Sequence, residues 1–231
     1  MKSLLLLVSG LLVATTAQAQ FGVRAGANYA SLAESRKHRS YYAEADGRIG
    51  YQLGVFYEQR ISKRLSLIPE IQFSRQRTDL SVVDYDAPMQ AGAATYQVGL
   101  SYLHVPIIVR AHLRKFYVEL GPQSSILLGA HEKGFTEESP LSSYRDPAGG
   151  TPFDRRATDR YHRYDFGPVA GLGVTLLAGF EVGVRMYTGL LSATRGAYSP
   201  YPGKLHSVAI QTNVAYRFPA HGGTRATQTS Y

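Results

Sequence analysis

Ten ionisable side chains recur at alternate positions of apolar segments: Arg24, Glu58, Glu70, His104, Arg110, Glu119, Asp165, Glu181, Arg185 and Arg217. Both signs occur in similar number, so one shared face could carry an internal ion-pair network. The same groups in series could instead pass protons or ions. Other combinations are weaker. Ser207 beside His206, and His162 near Asp165, offer hydroxyl, imidazole and carboxylate groups but no recognisable triad. His131-Glu132-Lys133-Gly134 lacks the second histidine of a zinc-protease helix. Asp79, Asp84 and Asp86 match no defined calcium loop and read as a solvated acidic connection. Gly167, Gly171 and Gly173 are in the wrong order for a dinucleotide fingerprint, and no helix follows them. They are expected to make room for Arg185 and Glu181 on the next strand. No catalytic residue, metal or cofactor is expected.

The elements that must position these groups are strands, because the alternation has period two. Eight are read: 21–30, 49–60, 64–77, 95–111, 115–129, 164–177, 179–188 and 207–218. In the first, Phe21, Val23, Ala25, Ala27 and Tyr29 oppose Gly22, Arg24, Gly26 and Asn28. The fourth changes phase near Ser101-Tyr102, since Tyr96, Val98 and Leu100 are even while Leu103, Val105, Ile107 and Val109 are odd. A β-bulge there would restore one apolar face, and Pro106, which removes a ladder hydrogen bond, is expected to mark it.

The connections alternate long and short, at roughly 31–48, 61–63, 78–94, 112–114, 130–163, 178 and 189–206. That is the pattern of an all-β, eight-stranded antiparallel up-and-down transmembrane β-barrel with both chain ends in the periplasm. Aromatic residues sort by height. Tyr29, Tyr51, Phe73, Tyr96 and Phe166 fall near the outer ends, and Tyr57, Phe116, Phe180, Tyr216 and Phe218 near the periplasmic ends. Met1-Lys2-Ser3, the apolar run Leu4 to Ala14 and Ala17-Gln18-Ala19 read as a signal peptide over 1–19, leaving a barrel over 20–218 and a periplasmic tail over 219–231. Zero cysteines exclude a disulfide framework, and 17 Tyr with 9 Phe favour strands.

The chain resembles the outer-membrane β-barrel family of Bacteroidetes-type bacteria that includes the PorT-like proteins. The resemblance rests on Gly22-Val23-Arg24-Ala25-Gly26, Pro69-Glu70-Ile71-Gln72-Phe73-Ser74, Tyr102-Leu103-His104-Val105-Pro106, Gly121-Pro122, Asp165-Phe166-Gly167 and Tyr216-Arg217-Phe218. It implies an outer-membrane location, biogenesis through the barrel assembly machinery, and an accessory role in secretion or surface attachment. The tail from Pro219 to Tyr231 departs from it, since such barrels end near the terminal aromatic residue.

A lumen of eight strands is only wide enough for side chains, so the ionisable face fills it and leaves no open pore. Function then falls to the long loops. Arg36, Lys37 and Arg39 in the first, and Arg155 and Arg156 in the third, suit contact with lipopolysaccharide phosphates, or belong to an ordinary solvated surface. A protein partner at these loops is also compatible. The formal charge of +8 does not indicate nucleic acid, because the basic residues form no tight patch or binding module. Two further readings stay open: a lipid-modifying outer-membrane enzyme, and a soluble lipocalin-like barrel with its apolar faces inward.

Overall fold

A strand placed in hydrocarbon leaves backbone N–H and C=O groups pointing sideways, and only a closed ring of strands satisfies them all. The computed structural model, which describes residues 19–34, 41–84, 93–137, 151–195 and 205–219, forms that ring. Its strands are β1 (Ala19–Glu34), β2 (Tyr41–Arg60), β3 (Leu65–Asp84), β4 (Ala93–Leu113), β5 (Phe116–Glu137), β6 (Thr151–Arg156), β7 (Tyr164–Thr175), β8 (Phe180–Ser192) and β9 (Leu205–Arg217). Eight of them close antiparallel in the order β1-β2-β3-β4-β5-β7-β8-β9, and β9 pairs with β1. The ninth, β6, lies outside the ring and pairs with β5 from His131 to Thr136.

Three connections at one end are tight. One is the turn Arg114-Lys115, with Arg114 at φ 60°, and another carries Ala178 and Gly179 at φ 58° and 85°. The opposite end is built differently from the sequence expectation. There β2 begins at Tyr41, β3 runs to Asp84 and β5 to Glu137, so much of each long connection is sheet.

These extensions escape simple pattern reading because the environment inverts along each strand. Along β3 the outward residues are Leu65, Leu67, Pro69, Ile71 and Phe73, then Arg75, Arg77, Asp79 and Ser81. Along β4 they are Val109, Ile107, Val105 and Leu103, then Ser101, Gly99, Gln97 and Thr95. The switch falls at one height, since Phe73 pairs with Leu103 and Arg75 with Ser101. Below it the exterior is apolar and the interior mostly polar, with Phe56, Ile68, Ile108 and Val169 in a second buried apolar cluster. Above it the exterior is polar and the interior carries Leu32, Leu80, Tyr96, Val98, Leu100 and Leu205 in one buried cluster.

This corrects the phase change expected in β4. Even-numbered residues face inward from Ala94 to Arg110, so Tyr96, Val98 and Leu100 are interior, and Tyr96 belongs to no aromatic girdle. The register does shift opposite Ser101/Tyr102, but the extra residue, Leu128, is in β5. Pro106 does not mark it: its side chain is buried, and pairing passes from Pro106↔Gln123 to Val109↔Leu120 without a shift. The glycine expectation is corrected in part. A Cβ on Gly171 would stand 2.7 Å from Cγ of Arg185, whereas Gly173 leaves room for the Tyr117 ring and Gly167 for the backbone at Thr188, none of them for Glu181.

The apolar band is bounded by rings. Phe21 and Tyr57 sit 5.0 Å apart, and Phe180, Tyr216 and Phe218 form a chain at 4.9 and 5.4 Å near the short turns. Tyr51 and Phe73 lie 6.3 Å apart at the other boundary. From Phe21 to Tyr29 the strand covers roughly 26 Å, or about 20 Å along a barrel axis at ordinary tilt. That approximates the apolar height of an outer-membrane barrel. Because the apolar faces of this band point outward, the inside-out lipocalin-like arrangement is overturned.

The band can be probed by one charge. Ile107→Arg, at its centre, is expected to cost about 2–4 kcal/mol in urea unfolding from lipid vesicles, and Gln97→Arg, above the switch, no more than about 1. Equal costs would show that the boundary at Phe73–Leu103 is misplaced.

Candidate functional site

Among the described residues, chemically capable side chains converge in the lumen. Its end near the short turns holds a layer of buried ions. Arg110, from β4, donates from Nε and Nη2 to Glu119 Oε1 at 2.9 and 2.6 Å, and from Nη1 to both oxygens of Glu181 at 2.9 Å. Arg185 donates from Nη1 and Nη2 to the two oxygens of Glu70, each at 2.8 Å, and from Nε to Glu119 Oε2 at 2.6 Å. The layer continues through Arg24 Nη2, 3.3 Å from Glu70, and through Arg217, 3.4 Å from Glu58 and 3.1 Å from Glu181.

Sheet register explains these reaches. Arg110 and Glu119 are direct cross-strand partners, and Glu119, Gly171 and Arg185 follow one another across β5, β7 and β8. The missing side chain at Gly171 lets Arg185 span the intervening strand to Glu119. Tyr117 supplies a ring face 4.1 Å from the Arg110 guanidinium carbon, and Phe56 lies 5.3 Å from that of Arg24. Four arginines meet four glutamates, so the layer is charge-balanced, with His112 touching Glu58 at 3.0 Å. Bidentate guanidinium–carboxylate geometry of this kind offsets much of the desolvation that burial imposes.

A polar middle layer follows. His104 has Ser74 Oγ 2.7 Å from Nε2 and Ser125 Oγ 2.7 Å from Nδ1, and its ring stacks on Tyr102 at 5.6 Å. Asp165 accepts from Tyr187 Oη at 2.9 Å and from the amides of Phe166 and Leu191. Beside them Asn28, Gln52, Gln72, Gln211 and Asn213 are buried, and both amide atoms of Gln52 and Gln72 lack a protein partner. Such amides are ordinarily satisfied by water.

The apolar cluster closes the lumen above. Ala157 and Tyr161 join it from the segment after β6, and Phe153 packs against it. Tyr161 Oη donates to buried Glu132 at 3.1 Å, and Glu132 also binds Arg155 at 3.0 Å and Arg160 at 3.6 Å. Burial, with Tyr96 and Glu132 nearby, holds the Tyr161 hydroxyl well above its ordinary pKa.

Of the ten ionisable positions read from sequence, Arg24, Glu58, Glu70, Arg110, Glu119, Glu181, Arg185 and Arg217 meet in the ion layer. His104 and Asp165 stand apart from it, in the middle layer. His112 and Tyr117 were missed, although both continue the inward parity of Arg110 and Glu119. Glu132 was missed because its strand read as a loop. Arg155 faces Glu132 and Phe153, Arg156 is exposed, and Arg36, Lys37 and Arg39 lie outside the described residues. Ser207 is buried while His206 contacts the Gly189 carbonyl at 3.3 Å, and exposed His162 has no contact with Asp165 among the described residues. Asp79 is held by Arg48, whereas the Asp84 side chain and Asp86 lie outside the described residues. Among the described residues no cluster of three or more His, Cys, Asp or Glu could hold a metal.

An outward apolar band, two aromatic boundaries and a lumen of paired ions describe a barrel that sits in lipid. The family described as outer membrane protein beta-barrel domain matches residues 15–195. The chain belongs to that family. It is an outer-membrane β-barrel protein. No curated protein sequence matches it. Similar solved structures include Neisserial surface protein A, at 13% identity and TM-score 0.45, covering 87% of this chain and 99% of that one. Ail, the attachment invasion locus protein of Yersinia pestis, is 12% identical with TM-score 0.46 over the same shares. OprG from Pseudomonas aeruginosa is 12% identical with TM-score 0.43, over 87% and 97% of the two chains.

Removing one member of the ion layer should be worse than removing a matched pair. Arg110→Met, which leaves Glu119 and Glu181 short of a counter-ion, is expected to cost about 3–5 kcal/mol, and Arg110→Met with Glu181→Met to recover part of that. The heat-dependent loss of the fast-migrating folded band on gels reads the difference, and a single variant as stable as the parent would remove the layer from the list of what holds the barrel.

Proposed function

We propose that this is a non-enzymatic, non-conducting outer-membrane barrel that serves as a rigid mount for an outward-facing interaction surface, in a structural, surface-attachment or secretion-accessory role like that implied by the PorT-like resemblance. The observation that carries this reading is the state of the lumen. Arg110 and Glu181 have fully buried side chains in the lower layer, and Leu80 and Val98 are equally sealed in the upper one. A water-filled path would have to break buried ion pairs at one end and an apolar plug at the other.

Catalysis finds less support, since the hydroxyl, imidazole and carboxylate groups that do touch are enclosed. Ser74, His104 and Ser125 are buried mid-barrel, where a lipid or peptide bond has no route to them. The surface above the bilayer is where partners would be met: the β5–β6 ladder, the segment through Tyr161, and the connections that include Arg36, Lys37 and Arg39. Contact of those basic residues and of Arg155 and Arg156 with lipopolysaccharide belongs to this proposal, as does assembly after removal of residues 1–19.

Purified protein in planar phospholipid bilayers is expected to give no sustained conductance steps, and the same preparation no turnover of ester or peptide substrates. Stable ion-selective steps would replace the sealed mount with a channel, and turnover abolished by Ser74→Ala would replace it with an enzyme.

A further inference from the structure

The lower parts of the extended hairpins carry an uncompensated basic facet at a telling height. We propose that Arg75 and Arg77, on the outer wall of β3, bind the phosphate groups of outer-leaflet lipid. The inference uses the outer-membrane location of the barrel and is independent of its proposed role.

Height is the first argument. Moving outward along β3, Phe73 is followed on the exterior by Arg75 and Arg77, while Tyr51 is the direct cross-strand partner of Arg75. The two guanidinium groups therefore start where the aromatic boundary ends, at the level of lipid headgroups.

Charge is the second. Arg48 stands directly opposite Arg77 on β2, and like charges in that relation repel. The nearby carboxylate Asp79 is already used, by Arg48 Nε at 2.6 Å and by Gln97 Nε2 at 3.2 Å. Its own cross-strand neighbour is another acid, Asp46, which makes no ion pair with Arg77 among the described residues. Arg75 and Arg77 thus have no carboxylate partner there, and a shared anion would relieve the crowding. A phosphate, with several acceptor oxygens, fits adjacent guanidinium forks.

The third is a seat. Arg75 Nη1 donates to Ser101 Oγ at 2.7 Å, and its guanidinium lies over Gly99, where an added Cβ would stand 2.7 Å from Nη2. Gly99 is also the cross-strand partner of Arg77. The missing side chain lets Arg75 lie flat against β4 beside Arg77, a fixed geometry unlike that of free surface arginines. Continuity with Phe73 and Leu103 below selects a lipid over a free ion, because acyl chains and phosphate can be held at once.

The test titrates detergent-solubilised protein with bisphosphorylated lipid A and follows the temperature at which the folded gel band is lost. Lipid A is expected to raise that temperature, and the half-saturating concentration to rise about tenfold in Arg75→Gln/Arg77→Gln, the loss of one to two charge-assisted contacts. Arg64→Gln, exposed in the short turn between β2 and β3 at the opposite end of the barrel, should behave as wild type. Gly99→Ala keeps both charges but fills the seat, and should weaken binding in the same direction even if the double variant folds poorly. Wild-type affinity in both the double variant and Gly99→Ala would overturn the proposal. So would equal stabilisation by dephosphorylated lipid A, which would reduce the contact to acyl chains, or by inorganic phosphate at the same concentration, which would make the ligand a free ion.

Discussion

Hydrocarbon offers no hydrogen bonds, so the ring of eight strands must close, and most other features of the molecule follow from that closure. Eight strands enclose a cylinder as wide as its own side chains. An arginine placed inside such a cylinder is cut off from bulk water and is stabilised by carboxylates on facing strands. Arg110 does so across β5 and β8, and Arg185 across β3 and β5. Closure also gives glycine a positional job, because a flat spot at Gly171 is what lets Arg185 cross an intervening strand. Buried ion pairs are poor net stabilisers when counted one by one. Here their arrangement is specific: each carboxylate is shared, so the register of five or more strands is tied to one charge pattern.

The same closure sets two different solvents along a single strand. Between Phe21 and Tyr29 the outside is lipid, and beyond Tyr29 it is water. A strand crossing that line exchanges which of its faces should be apolar while its backbone keeps its parity. Period-two reading was therefore sound within the band, where Phe116, Val118 and Leu120 alternate with Tyr117, Glu119 and Gly121. It failed above the band for a physical reason. Tyr96, Val98 and Leu100 are as apolar as Leu103 and Val105 but face the opposite way, and sequence alone presents this as a slip in phase. A real slip exists beside it at Leu128, where two apolar neighbours, Leu127 and Leu128, conceal the extra residue.

Which charged side chains would be interior was legible from their apolar neighbours, whereas their partners were not. The distance from Arg185 in β8 to Glu70 in β3 spans 115 residues of chain and is set by ring curvature, which no local pattern encodes. Glu132 shows the converse. Its sequence context, His131-Glu132-Lys133-Gly134, is that of a polar loop, yet an added strand, β6, and the Tyr161 segment fold over it and bury it. Arg155 then turns from a free surface cation into the counter-ion of a buried acid, and that change of role depends on a pairing formed across a long connection.

The extension of β3 past the lipid boundary carries a geometric consequence. From Arg75 to Asp84 the strand continues for roughly 30 Å along its length, about 20 Å along the barrel axis at ordinary tilt. The polar-walled, apolar-filled upper barrel is thus a collar nearly as tall as the part in the membrane. Its rim stands well above the aromatic boundary, on a scaffold filled by the buried cluster that includes Leu32, Leu80, Val98 and Leu205. Recognition at that rim would depend on stiffness and standoff distance, with little of the binding energy spent on ordering the platform.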